Sequence, residues 1–302
     1  MSFTTWLLRK MFTAGDDKRD RGLTTPDDIE RWDDICYGTN KKWQVMDIYR
    51  PKNTTGKLPV IVSIHGGGWT YGDKERYQYY CMSLAQRGFA VVNFTYRVAP
   101  EFQFPAGIED TGMVFQWLHD NKDCGWFDFD HIYAVGDSAG AHMLTIYCAA
   151  CGNPEYAKKL GIIFPKYPSG KNICPNAVGL NCGVYEIDMR TANGMIKGLM
   201  KALLKSKIND PAEIDLINPI PYINDKFPRA YIMTASADPL AGPPKQKNLT
   251  DKLAACGIEF VDKTYGSKEN PLNHVFHCDM RNETGKLCND EECCFFLQEF
   301  NI

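Results

Sequence analysis

The sequence predicts an α/β protein, a mostly parallel central sheet flanked by helices, with a small helical cap. Three observations lead there. Short β-branched runs alternate with stretches of helical apolar spacing, as strands joined by crossover helices do. One expected strand-to-helix junction carries Gly136-Asp137-Ser138-Ala139-Gly140, a GxSxG. The chain of 302 residues, 44% hydrophobic and 24% charged, is long enough for one large sheet-based domain. Two small domains of ~150 residues would fit the same length. A net charge of −3 gives no basic footprint for nucleic acid. The composition excludes a disordered or collagen-like chain.

Residues 1–40 are expected to be helical and polar, with an apolar stripe of Trp6, Leu7, Met11 and Phe12. Leu8 runs straight into Arg9 and Lys10, which interrupts any secretory core of ~7–15 apolar residues. No stretch approaches the ~18 apolar residues of a membrane span. The expectation is a cytoplasmic protein with reduced thiols and no membrane span. Residues 42–50 alternate like a strand, and 51–57 are turn-rich. Strands are expected at 59–64, 89–95 and 131–135, with helices at 107–121 and 139–151. Residues 177–184, 230–235 and 258–264 read as three more strands. A helix at 244–256 lies between the last two of these, and a final helix covers about 290–299. The stretch 185–222 breaks the rhythm. Its Met195, Ile196, Leu199, Met200, Leu203 and Leu204 recur at helical spacing, which suits either a core helix or a lid over a site.

The twelve cysteines stand mostly in apolar segments, where a free thiol packs as a small hydrophobe. Cys148 and Cys151 form a CxxC inside an apolar run, away from the helix start that would activate a thiol. His274, His277, Cys278, Cys288, Cys293 and Cys294 contain zinc-type ligands. Their irregular gaps match no regular pair of ligand pairs. No metal and no cofactor are expected.

The GxSxG has the context of a nucleophile elbow, a strand before it and a helix after it. The helix would aim its N-terminal N–H groups at the reacting centre. His65-Gly66-Gly67-Gly68-Trp69 follows the strand at 59–64 directly. Acyl transfer builds charge on a carbonyl oxygen, and backbone N–H groups can hold it. The expected donors are Gly67, Gly68 and Ala139, with Gly66 less favoured. His65 and Trp69 would hold the loop, while Trp69 and Asp137 would border the substrate. A serine nucleophile needs a base and an orienting acid. Of the two histidines after Ser138, His274 lies in a loop past a strand and is favoured over His277. Asp238, just past the strand at 230–235, is favoured over the in-strand Asp262 and the helical Asp251.

The sequence resembles the hormone-sensitive-lipase-like family of α/β-hydrolase carboxylesterases. The resemblance rests on HGGGW at 65–69, YRVAPE at 96–101, FPA at 104–106, GDSAG at 136–140, DPL at 238–240 and HVF at 274–276, in order. It spans roughly residues 40–280. It implies an α/β-hydrolase fold and a serine esterase acting on short acyl chains, with Ser138, Asp238 and His274 as triad and Gly67, Gly68 and Ala139 as oxyanion donors. It also implies one domain over 1–302, capped by segments of about 1–40 and 185–222. Tyr96, Arg97, Glu101 and Asp110 would be structural. Two departures stand out. Ala241-Gly242-Pro243 replaces the acidic pair that often follows DPL, and Val275 replaces the usual glycine after the histidine. An amidase of the same architecture, such as a formylkynurenine formamidase, is the alternative activity. A noncatalytic small-molecule receptor is the alternative outside enzymes. The expected partner is a small ester. Oligomeric state is left open.

Overall fold

Strands covered on both faces need apolar side chains on both, so they read as unbroken apolar runs. In the computed structural model, which describes residues 2–167 and 169–298, those runs form the middle of one sheet. In chain order the elements are α1 (Phe3–Asp20), β1 (Ile29–Cys36), β2 (Val45–Pro51), β3 (Leu58–Ile64), α2 (Lys74–Ala85), β4 (Ala90–Thr95) and α3 (Ala106–Asp120). Then come β5 (Phe127–Asp137), α4 (Ala139–Gly152), α5 (Pro154–Leu160), β6 (Ala177–Asn181), α6 (Gly194–Leu204) and α7 (Pro211–Leu216). The chain closes with β7 (Arg229–Ala235), α8 (Lys247–Ala255), β8 (Phe260–Tyr265) and α9 (Glu283–Leu297). Strand order across the sheet is β1-β2-β4-β3-β5-β6-β7-β8. β2 runs antiparallel to both its neighbours, and every pairing from β4 to β8 is parallel.

Alternation along each strand divides the core in two. Val60, Val62 and Ile64 pack on one face with α3, α4 and α8. Ile61, Tyr133 and Val135 pack on the other with α2 and α9. The expected α/β architecture is therefore the one found.

Of the elements that differ from expectation, three bear on how the sequence reads. Residues 29–36 are an edge strand, so the helical reading of 1–40 holds only for α1. A register shift between Trp32 and Ile35, with Asp34 at φ 58°, breaks the period-two signal of β1. Sequence reasoning also passed over α2, although Asp73 caps it and Tyr77, Tyr80, Cys81 and Leu84 recur on its buried side. Finally, α9 begins at Glu283, well before residue 290, because the Asn282 side chain accepts the Gly285 N–H and caps it. Glu299, at the end of the expected helix, and Met1, at the start of the expected cap, lie outside the described residues. Cys293 is buried and Cys294 exposed, because neighbours on one helix point to different sides.

Candidate active site

Parallel strands bring the loops at their C-terminal ends to one edge of the sheet, where ligands bind in open α/β sheets. Four such loops matter here. The glycine-rich loop leaves β3, Ser138 follows β5, Asp238 follows β7, and His274 lies in the connection after β8.

Ser138 sits at φ 51°, ψ −114°, between a strand and a helix that share no connecting loop. That conformation is sparsely populated for a non-glycine residue and costs about 1–3 kcal/mol. The surroundings hold it there. Its N–H donates to the Asn181 carbonyl at 2.9 Å, and its carbonyl accepts from His142 N–H at 3.1 Å. Gly140 lets α4 start directly over β3, since a Cβ at this position would lie 2.0 Å from the Ile64 carbonyl oxygen.

The three residues selected from sequence meet in a hydrogen-bonded chain. His274 Nε2 is 2.9 Å from Ser138 Oγ, and His274 Nδ1 is 2.6 Å from Asp238 Oδ2. A carboxylate only accepts, so it selects the tautomer with the proton on Nδ1 and leaves Nε2 to accept from the serine hydroxyl. Asp238 is itself fixed by the N–H groups of Leu240 and Ala241, at 2.8 and 2.9 Å to Oδ1. Burial opposes its ionisation, but the His274 ring and these N–H groups outweigh burial and hold the carboxyl below its ordinary range. The Ala241-Gly242-Pro243 departure thus leaves Asp238 well held. Val275, the other departure, takes φ 55°, ψ 32°. That left-handed conformation costs a β-branched residue about 1–2 kcal/mol.

His277 is not part of this chain. Its ring is fully buried edge-on to Tyr80, and burial pushes its pKa down to about 3, so it stays neutral. Asp251 pairs with Lys247 on the exposed side of α8, and Asp262 lies within edge strand β8.

The glycine-rich loop is anchored from below. Asp137, itself buried, accepts the Gly66 N–H at 3.0 Å and the Tyr77 hydroxyl at 2.8 Å. Burial pushes its pKa up to about 6, against the lowering by Tyr77. Gly66 N–H is therefore occupied, while no hydrogen bond among the described residues takes up the N–H groups of Gly67, Gly68 or Ala139. Gly67 stands at φ 110°, where a Cβ would come 2.2 Å from the Tyr71 carbonyl oxygen. His65 stacks on Tyr96 at 4.0 Å, and Tyr96 donates to the His65 carbonyl at 2.8 Å. Trp69 Nε1 donates to His142 Nδ1 at 3.1 Å. Trp69 and Asp137 both border the cavity, yet their polar atoms are turned to the protein. Arg97 binds Asp110 at 2.9 Å, and Glu101 binds Arg9 at 2.6 Å, tying α1 to the loop after β4.

Ser138 and His274 open into a cavity of about 230 Å³. Met11 and Phe12 of α1, Val184, and Met195, Ile196 and Leu199 of α6 form its apolar wall. Cys182, Asp238 and His274 have one ligand-type atom each within 4.8 Å of one another, the only such group among the described residues. Two of its members are already bound to each other. The histidines and cysteines after residue 273 form no cluster of their own among the described residues.

Sequence reasoning missed a buried support beneath Ser138. Asn181, whose carbonyl holds the Ser138 N–H, donates its side-chain amide to Glu292 of α9 at 2.9 Å. Tyr80 donates to the same carboxyl at 3.5 Å. Burial pushes the Glu292 pKa up to about 7, against these two hydrogen bonds. The ordinary value is about 4.3. Between those pH values the folded chain keeps a proton that the unfolded chain has released, so stability falls as pH rises through that window. Glu292→Gln keeps the shape and the acceptor without the charge. Its stability is expected to match the parent near pH 4 and to exceed it at pH 8 by on the order of 3–4 kcal/mol. Urea unfolding across that range measures the gap. A gap that does not change with pH would count against the buried charge.

A strained serine between strand and helix, below a glycine-rich loop and beside an ordered histidine and aspartate, defines an α/β hydrolase. Within that class, the BD-FAE family model matches residues 46–253, and the chain belongs to that family. The resemblance to hormone-sensitive-lipase-like hydrolases is borne out by relatives of that kind. Esterase LipQ of Mycobacterium tuberculosis is 26% identical over 251 residues, covering 80% of this chain and 56% of the relative. Versiconal hemiacetal acetate esterase of Dothistroma septosporum is 29% identical over 199 residues, covering 64% and 60%. The chain thus spans a little over half the length of the curated relatives it matches. Among solved structures, esterase B from Lactobacillus rhamnosis superposes with a TM-score of 0.85 at 24% identity, covering 97% of this chain and 92% of that one. These likenesses establish the α/β-hydrolase fold. Among the described residues no helix is long and apolar enough to cross a membrane.

Proposed function

We propose that the protein is a serine carboxylesterase that hydrolyses small acyl esters through an acyl-enzyme on Ser138. One observation carries the reading. A serine hydroxyl, a histidine ring and a buried carboxylate lie in one hydrogen-bonded chain, at 2.9 and 2.6 Å. His274 takes the hydroxyl proton as Ser138 Oγ attacks the ester carbonyl. The N–H groups of Gly67, Gly68 and Ala139 hold the oxyanion. Asp238 orients the ring and stabilises its cation. The protonated ring then gives its proton to the departing alcohol. Water, deprotonated by His274, attacks the acyl-enzyme and frees the acid and Ser138.

The preference for short chains is supported by the cavity, whose 230 Å³ is below the ~300–1,000 Å³ of drug-sized sites. Leu199 stands against Gly68, so α6 limits the space beside the oxyanion loop. In this reading one catalytic domain carries a cap made by α1 and α6. The names of the curated relatives support ester over amide substrates. Twelve unpaired thiols support a reducing, cytoplasmic setting.

A fluorophosphonate is expected to label one residue, Ser138, mapped by peptide mass spectrometry. Label on another side chain would overturn the assignment. With p-nitrophenyl esters of two to twelve acyl carbons, kcat/KM is expected to fall beyond the shortest few, and Leu199→Ala to move that fall to longer chains. N-formylkynurenine, assayed alongside, is expected to turn over far more slowly than the acetyl ester.

A further inference from the structure

A surface helix normally buries its apolar stripe, and the first half of α1 does not. Among the described residues six large hydrophobic side chains are exposed, and four of them are on this helix: Phe3 at 74%, Trp6 at 44%, Leu7 at 43% and Met11 at 60%. Their positions follow helical spacing, so they form one stripe. Phe3 and Trp6 stack at 5.8 Å, which joins them into one patch. The stripe leads to the site, because Met11 also borders the cavity of Ser138.

The charge beside the stripe is basic, while the acidic Asp16, Asp17 and Asp20 lie in the second half of α1. Residues 3–15 and 194–209 hold six basic side chains and no acidic one, in a chain of net −3. The two segments adjoin, since Thr4 lies against Gly198. Arg9 is taken up by Glu101 and Lys207 by Glu213. Lys10, Lys197, Lys201 and Lys205 are exposed and form no ion pair among the described residues. Apolar side chains with a tryptophan, beside unneutralised lysines, are the pattern of a helix that lies in an anionic lipid interface. A second copy of the chain fits poorly, because a two-fold contact would set the same lysines against themselves.

We propose that the joined face of α1 and α6 docks on an anionic phospholipid surface, with Phe3, Trp6 and Leu7 entering the interface and the lysines meeting the headgroups. Docked this way, the mouth beside Met11 opens toward the lipid. The proposal does not depend on the esterase reading, because its readout is binding.

The test is co-sedimentation of the full chain with phosphatidylcholine vesicles containing phosphatidylserine, and with phosphatidylcholine alone. Partition onto the anionic vesicles is expected to be about tenfold stronger and to weaken with salt. The double variants Trp6→Ala/Leu7→Ala and Lys197→Glu/Lys201→Glu are each expected to lose about tenfold. Circular dichroism melting and p-nitrophenyl acetate turnover should match the parent, which shows the fold intact. No partition, equal partition on both vesicles, or partition unchanged in both variants would overturn the proposal. A dimer in light scattering that Trp6→Ala/Leu7→Ala dissociates, without vesicle binding, would assign the face to a second copy.

Discussion

Ser138→Ala is expected to lower kcat for p-nitrophenyl acetate by about 10⁶-fold while leaving KM and the fold in place. The alanine removes only Oγ, which donates to His274 and supports no other element. The elbow stays, because its strain is held by backbone bonds to Asn181 and His142. His274→Ala is expected to cost about as much, and the double variant no more than either, because the three groups act as one unit. Asp238→Asn should cost about 10⁴-fold by favouring the wrong tautomer. His277→Ala separates the two histidines. Its ring touches Tyr80 and not Ser138, so it should lower stability and leave kcat within about tenfold. If Ser138→Ala kept even a hundredth of the activity, or if His277→Ala matched His274→Ala, the mechanism would be wrong.

Gly140→Ala is expected to have the largest effect on folding. The added Cβ would lie 2.0 Å from the Ile64 carbonyl oxygen and 2.8 Å from that of His65. Both obstacles are backbone, in the middle of the sheet and at the root of the glycine-rich loop. Neither can turn aside as a side chain can. Overpacking of a tight core costs about 1–3 kcal/mol even where side chains adjust, so a loss of ~3 kcal/mol or more is expected here. Moving α4 off β3 would also shift Ser138 and the Ala139 N–H, so activity should fall with stability. Gly15→Ala is the contrast. It lies within α1 with nothing near its Cβ position, and should stabilise by about 1 kcal/mol. Chemical denaturation of the two variants measures both. Parent-like stability in Gly140→Ala would show that the helix–strand contact is looser than described.

How far the sequence could be read depended on how local each signal was. The GxSxG could be found because strand, turn and helix are contiguous, and the turn demands small residues at fixed offsets. The glycine-rich loop followed its strand directly for the same reason. β1 escaped because its bulge interrupts alternation, so the pattern is visible only once β2 is beside it. Glu292 escaped because nothing near it in the chain shows that Asn181, 111 residues away, will meet it. The C-terminal cysteines are ligand-type residues whose irregular spacing argues against a metal site, but spacing alone does not show that Cys288 and Cys293 of α9 are buried in the core.

The sequence by itself determined the α/β class, the parallel order of strand and helix, and the serine at the elbow, because these depend on periodicity and steric size over a few neighbouring residues. It also narrowed base and acid to short sets. Only the tertiary structure shows which of these candidates join Ser138 in one hydrogen-bonded chain. His274 and His277 are three residues apart, and one reaches Ser138 while the other turns into the core against Tyr80. The same holds for the glycine-rich loop, where Asp137 takes the Gly66 N–H and leaves Gly67 and Gly68 open. Hydrogen bonds form between groups that packing brings within ~3 Å, and that packing is set by the whole sheet and both its helical layers.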